Sequence, residues 1–198
     1  MIAAEQIQGC VLGLALGDAL GAPYEGGWLE RGVWAVIGRT RRGEMRWTDD
    51  TQMSVDLIES YLHCGRIDPD DLALRFARSY RWSRGYGPGA ARILKQIAAG
   101  MDWRVANRSV YEQGSYGNGA AMRAPIVGLI HAEDEPSNRI HAARQSALPT
   151  HAHPLGVEGA ILLAECIALI AGDIAPERLP EALLSCLSQK EFRVRMET

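Results

Sequence analysis

Along most of the chain, apolar positions recur every three or four residues, the period of a helix buried on one face. After Thr48, the residues Met53, Leu57 and Tyr61 recur at intervals of four, flanked by Ile58 and Leu62, and Gly65 stops the run. Pro69-Asp70-Asp71 opens a second helix, which carries Leu72, Phe76 and Tyr80. The same period predicts helices over residues 90–99, 120–130, 154–171 and 176–189, and Glu135-Pro136 opens a polar helix through Ala147. Within 120–130, Pro125 either kinks the helix or sits in its first turn. Strand signals are nearly absent; the best is the short run VWAVIG, residues 33–38. These elements predict an all-α fold in a single domain over residues 1–198, with no internal repeat and no low-complexity tract.

In GCVLGLALGDALG, glycines stand at 9, 13, 17 and 21, a spacing that aligns them on one helical stripe. Glycine weakens a helix interior, so the stripe predicts close approach of a neighbouring backbone, with Ile7, Cys10 and Leu14 beside it. Three loops gather further glycines and unusual polar groups: residues 21–50, 84–89 and 114–119. Functional groups concentrate in such loops when a rigid scaffold holds them.

Composition narrows the class. Of 198 residues, 47% are apolar, enough for the core of one domain. A net charge of −3 argues against electrostatic binding of nucleic acid or an anionic membrane. Residues 9–17 read as the longest helix-like apolar run, too short to cross a bilayer, and the N-terminus lacks the basic-then-apolar order of a secretory signal. Cys10, Cys64, Cys166 and Cys186 form no CxxC pair, which predicts small buried hydrophobes in a reducing, cytoplasmic setting.

The stretch RWTDDTQMS holds the clearest candidate chemistry. As local structure, Thr48 caps a helix and Asp49 and Asp50 complement its dipole. As chemistry, one hydroxyl and two carboxylates offer hard oxygen ligands suited to Mg²⁺, Mn²⁺ or Ca²⁺, which would also relieve their mutual repulsion. In SYGNGAAMR, glycines around Asn118 permit close ligand approach, and a helix start beyond them is a natural anion seat. Arg123 either assists a phosphate or caps an acidic surface. Tyr86 in RGYGPGA either stacks on a base or ribose or serves a turn. In THAHP, His151 and His153 either ligate a transition metal, a poor site without nearby carboxylates or cysteines, or serve separately, one orienting a loop and the other facing a cleft. Glu25 in GAPYEG is either a general acid/base or a solvated surface charge.

Taken in order, GLALGDALGAPYEG, RWTDDTQMS, RGYGPGA, SYGNGAAMRAP and THAHP resemble the ADP-ribosylglycohydrolase family, from about residue 8 to the helix after His153. The resemblance implies a compact all-α fold with two Mg²⁺ or Mn²⁺ ions in a cleft. It implies Thr48, Asp49 and Asp50 as metal ligands, and Glu25 and Asp50 as the carboxylates of the reaction. It further implies Tyr86, Gly87, Gly117, Asn118, Gly119 and His151 on the substrate side. The reaction implied is hydrolysis at C1″ of ADP-ribose carried by a protein side chain or a small molecule.

One part of the family pattern has no counterpart. Members continue to a second acidic motif, D-x-D-T, that completes the metal site, whereas here no D-x-D follows Thr150 and the only later aspartate is Asp173. The chain is therefore expected to lack the C-terminal metal-binding part. Three alternatives follow: a fragment, a site completed by a second chain, or a fold kept for ADP-ribose binding or structure without catalysis. Apolar surface left bare would favour a homo-oligomer or a marginally stable monomer.

Overall fold

The computed structural model describes residues 2–196; Met1, Glu197 and Thr198, at the ends of the expected domain, lie outside the described residues. Eleven α-helices follow in order among the described residues: α1 (Ala4–Gly21), α2 (Trp28–Ile37), α3 (Asp49–Cys64), α4 (Pro69–Ser79), α5 (Pro88–Ala98), α6 (Trp103–Ser109), α7 (Ala124–Ile130), α8 (Pro136–Ala147), α9 (Pro154–Ala171), α10 (Leu179–Leu184) and α11 (Lys190–Met196). The fold is all-α, and the β pairing among the described residues is an isolated antiparallel bridge between Arg39 and Met45.

The apolar stripes meet in one core. Met53 and Leu57 from α3, Leu72 and Phe76 from α4, Ile93 and Leu94 from α5, Val127 from α7 and Ile161 from α9 share it. α7 and α9 pack so closely that a Cβ at Gly128 would lie 2.3 Å from the Ala164 carbonyl oxygen. α9 is long and apolar enough, with mean hydropathy 1.8, to cross a bilayer by length and composition. Its carboxylates place it in the core instead. Both oxygens of Glu165 pair with the Arg139 guanidinium at 2.8 Å, and Glu158 accepts the Gln189 N–H at 2.8 Å.

Helix ends follow local chemistry. Gly65 closes α3 in the left-handed conformation, φ 68°, and the Asp68 carboxylate caps α4 by accepting the Asp70 and Asp71 N–H groups. Pro125 falls in the first turn of α7 rather than kinking a longer helix.

Four expectations are corrected. Residues 33–38 are not a strand: 33–37 form the second half of α2 and Gly38 is its C-cap. Glu30 accepts the Gly27 N–H at 3.0 Å at that helix's start, and burial of Trp34 overrides the local β preference. The glycine stripe of α1 has no close neighbour, since a Cβ at Gly9, Gly13 or Gly17 would meet nothing within 4 Å. The cysteines are free thiols, but each is partly exposed rather than buried. Residues 176–189 break into a single 3₁₀ turn and α10, because Pro176 and Pro180 each remove a donor.

Candidate functional site

The loop-to-helix junction at Thr48 is built from two directions. Thr48 is the N-cap of α3, and its Oγ1 accepts the Asp50 N–H at 3.3 Å. From α1, the buried Asp18 carboxylate accepts the Thr48 N–H at 3.0 and 2.9 Å, the Thr51 N–H at 3.1 Å and the Thr51 hydroxyl at 2.5 Å. The N–H groups of a helix's first turn have no intrahelical partner, so a carboxylate from a second helix satisfies them and gains from the dipole.

This junction borders a cleft of about 610 Å³ whose lining includes Glu25, Trp34, Thr48, Asp49, Tyr86 and Gly87. The segment at 84–87 is held against the start of α3. Arg84 donates to the Trp47 carbonyl at 2.7 Å, and its guanidinium lies 4.4 Å from the centre of the Trp47 ring. A Cβ at Gly85 would stand 3.9 Å from Asp49 Oδ1. Tyr86 is buried, with its ring centre 5.0 Å from that of Tyr80.

Acidic groups crowd here. Burial, then the charges of Asp50, Asp18 and Glu25, push the Asp49 carboxyl up to about 7. Burial and the charges of Asp18 and Glu25 raise Asp50 to about 6, against the Thr48 hydroxyl bond that lowers it. Among the described residues no salt bridge neutralises either group. An all-oxygen donor set of one hydroxyl and two crowded carboxylates fits Mg²⁺ or Mn²⁺ in kind. In number it falls short of the roughly six oxygens such an ion takes, so water, substrate or other groups would supply the remainder.

The second glycine loop belongs to a different assembly. Gly117, Asn118 and Gly119 do not line the cleft at Asp49; Asn118 borders a shallow apolar groove with Cys10, Leu14, Met122, Pro125 and Leu163. Arg123 corrects both expectations for it, being fully buried and touching no surface acid. It donates to the Gly119 carbonyl, to the Ser146 carbonyl at 2.7 Å and to Thr150 Oγ1 at 3.0 Å, with its guanidinium 4.8 Å from the centre of the Phe76 ring. Burial lowers its pKa to about 9, while the charges of Asp49 and Asp56 support the cation.

His151 is buried under this loop. Its Nδ1 lies 2.8 Å from Thr150 Oγ1, and burial, then the Arg123 charge, lower its pKa to about 3. The lowered pKa leaves the ring neutral, so one of its nitrogens carries a proton and the other accepts. A Cβ at Gly119 would lie 2.6 Å from His151 Cε1, so the loop can cross the ring only as glycine. His153 instead caps α9, its Nδ1 accepting the Leu155 N–H at 3.2 Å.

The structure thus brings Glu25, Thr48, Asp49, Tyr86 and Gly87 to one cleft with Asp50 beside it, and places Gly117, Asn118, Gly119 and His151 in a second cluster clamped by Arg123. Sequence reasoning gave Asp18 no role, although it is the only charged residue between Glu5 and Glu25. A lone carboxylate in an apolar, glycine-rich helix has to find donors, and that was the available signal.

An all-helical scaffold that holds a Thr-Asp-Asp helix start and a glutamate at one cleft defines the class. The chain belongs to the ADP-ribosylglycohydrolase family, whose model matches residues 2–197. It is 32% identical over 207 residues to ADP-ribosylhydrolase ARH3 of Gallus gallus, covering 94% of this chain and 56% of that protein. The Homo sapiens ADP-ribosylhydrolase ARH3 is also 32% identical, over 209 residues with the same shares covered, 94% and 56%. An uncharacterized protein of Archaeoglobus fulgidus is 34% identical over 192 residues, 91% of this chain and 60% of that one. A solved structure, described as an ADP-ribosylglycohydrolase-related protein complex, superposes with TM-score 0.71 at 29% identity, covering 97% of this chain and 66% of that one. The chain spans a little over half the length of the curated relatives it matches.

Proposed function

We propose that this chain is a metal-dependent hydrolase that removes ADP-ribose from modified protein side chains or a related ADP-ribosyl compound. The observation that carries this reading is the carboxylate pair Asp49–Asp50, in no salt bridge among the described residues, at the edge of a cleft that also holds Glu25. Membership of the ADP-ribosylglycohydrolase family supports an ADP-ribosyl substrate.

In the reaction, water supplies the oxygen that bonds to C1″ as the bond to the acceptor breaks, and the departing acceptor atom takes up a proton. Glu25 lies exposed on the cleft, within electrostatic reach of both aspartates, where a carboxylate can take the proton from that water. Thr48, Asp49 and Asp50 would hold Mg²⁺ or Mn²⁺. When bound, that cation supplies counter-charge and polarises water or ribose hydroxyls. Asp18 fixes the helix start, so the ligands are positioned in advance. Trp34, Tyr86 and Gly87 line the remainder and shape the space for sugar or base.

A second reading is favoured by the incomplete oxygen set: ADP-ribose is bound without turnover. The two separate in one experiment. Arginine- and serine-linked ADP-ribosyl peptides are incubated with the chain, with and without Mg²⁺, and with the E25Q and D49N variants. Release of ADP-ribose that needs Mg²⁺ and falls at least 100-fold in D49N supports hydrolysis. Binding of ADP-ribose by calorimetry with no release supports the second reading. Neither release nor binding would overturn both.

A further inference from the structure

The end of α3 opposite the candidate site gathers three different ligand types. Among the described residues, His63, Cys64 and Asp71 are the only His, Cys, Asp or Glu side chains that bring three ligand atoms within 4.8 Å of one another. His63 and Cys64 form the last turn of α3, and Asp71 lies in the first turn of α4. His63 Nδ1 stands 3.6 Å from Cys64 Sγ and 3.4 Å from Asp71 Oδ1. The other Asp71 oxygen is held by Arg75 Nε at 2.5 Å, which fixes the carboxylate and leaves Oδ1 toward the histidine.

The His63–Asp71 separation matches a metal sphere better than a hydrogen-bonded pair, whereas 3.6 Å between His63 and Cys64 suits a thiol hydrogen bond as well. An imidazole–carboxylate hydrogen bond closes to about 2.7–3.2 Å, shorter than the 3.4 Å found here. A tetrahedral ion with metal–nitrogen, metal–oxygen and metal–sulfur distances of about 2.0, 2.1 and 2.3 Å requires N···O and N···S edges of roughly 3.4 and 3.5 Å. The charges also match: one thiolate and one carboxylate balance a divalent ion, with the imidazole neutral. A sulfur–nitrogen–oxygen set prefers zinc-class ions and discriminates against Mg²⁺. His63 is two-thirds exposed, so the site is open to solvent and keeps a fourth position for water.

We propose that His63, Cys64 and Asp71 form a zinc-class transition-metal site, independent of the oxygen site at the other end of α3, that ties the C-terminus of α3 to the first turn of α4. The bound ion closes the connection at residues 65–68 as a cross-link and stabilises the fold by its differential affinity for the native state.

The test uses Co²⁺ as a spectroscopic probe on the whole chain after chelator treatment. One equivalent of Co²⁺ is expected to give a thiolate-to-metal charge-transfer band that Zn²⁺ bleaches and Mg²⁺ leaves unchanged. C64S is expected to abolish the band and H63Q to weaken Co²⁺ binding at least tenfold, both without change in circular dichroism. Zn²⁺ is expected to raise the melting temperature of the unmodified chain but not of C64S. An ion at Asp49 and Asp50 has no sulfur ligand and gives no such band, so this outcome is separate from that of the hydrolase assay. Absence of the band, or a band that survives in C64S, would overturn the proposal.

Discussion

The Asp18 carboxylate accepts the Thr51 hydroxyl at 2.5 Å while it also accepts the backbone N–H groups of Thr48 and Thr51. Asp18 is thus the acceptor on which the first turn of α3 is hung. Replacing it strands two N–H groups and a hydroxyl in a buried setting, each costing about 1–3 kcal/mol when unsatisfied. D18A is expected to lose roughly 3 kcal/mol in urea unfolding, and T51V about 1 kcal/mol. Because both variants break one shared network, the double variant should lose less than the sum. Strict additivity would show that Thr51 does not depend on Asp18.

The same helix start makes an unusual prediction about charge. Without a cation, Asp49 sits half-buried beside Asp50, Asp18 and Glu25, so its charge opposes folding. D49N is therefore expected to raise the melting temperature of chelator-treated chain while removing the response to Mg²⁺. In the unmodified chain, Mg²⁺ at about 100 times its dissociation constant should add roughly 2.7 kcal/mol, or several degrees in a domain of this size. Thermal unfolding with and without Mg²⁺ reads both effects. A variant that lowers stability without metal would refute the electrostatic account.

Asp56, about two turns along α3 from Asp49, gives a pH dependence. It is buried, accepts hydrogen bonds from Ser79 Oγ and from Gln52 Nε2, and burial raises its pKa to about 6 despite them. A carboxyl whose folded pKa is raised contributes stability that is fully present below its unfolded value, near 4. That contribution is lost as pH rises through the folded value. Stability from this group should therefore decline between about pH 4 and pH 6, by at most about 3 kcal/mol. In D56N that component disappears. The stability of D56N relative to the unmodified chain should rise across the window and level off above it, as followed by urea unfolding at fixed ionic strength.

His151 and Gly119 test the second cluster. A methyl group at 119 would overlap the imidazole at 2.6 Å, and the ring is pinned by Thr150. G119A should destabilise the chain by roughly 1–3 kcal/mol. H151A removes the obstruction, so in its background the added methyl group should cost much less, and a double-mutant cycle measures the difference. Equal costs in both backgrounds would place the strain elsewhere.

What could be read from sequence, and what could not, divides along physical lines. α3, α4, α8 and α9 carry long periodic stripes with proline starts or a glycine stop, and each lies where its spacing put it. α6, only seven residues long, was not anticipated, because two turns give periodicity too little length to register. Val33, Val36 and Ile37 read as a strand because β-branched preference is local, whereas the burial of Trp34 that fixes α2 is not. At the site, the Thr-Asp-Asp start was legible because cap and ligand chemistry coincide in three consecutive residues. The roles of Asp18 and Arg123 were not. Their partners lie 30 and more residues away for Asp18 and up to 27 away for Arg123, and spacing along the chain carries no record of such contacts.

The outer face of α1 and α2 leads to the last prediction. Leu12, Leu16, Leu20, Trp28, Leu29 and Val36 are each at least half exposed, and the glycine stripe of α1 has open space above it. Scattered exposed apolar side chains are ordinary, but Leu12, Leu16 and Leu20 recur every four residues on one face of α1, and such a run marks a surface that gains by being covered. The chain is expected to associate as its concentration rises. Substituting Leu16 and Val36 by glutamate should return it to monomer, because a like-charged, hydrated face loses the hydrophobic gain of about 25 cal/mol per Å² buried. Multi-angle light scattering over a hundredfold range of concentration decides the matter. A chain that stays monomeric throughout would mean that this face is tolerated bare.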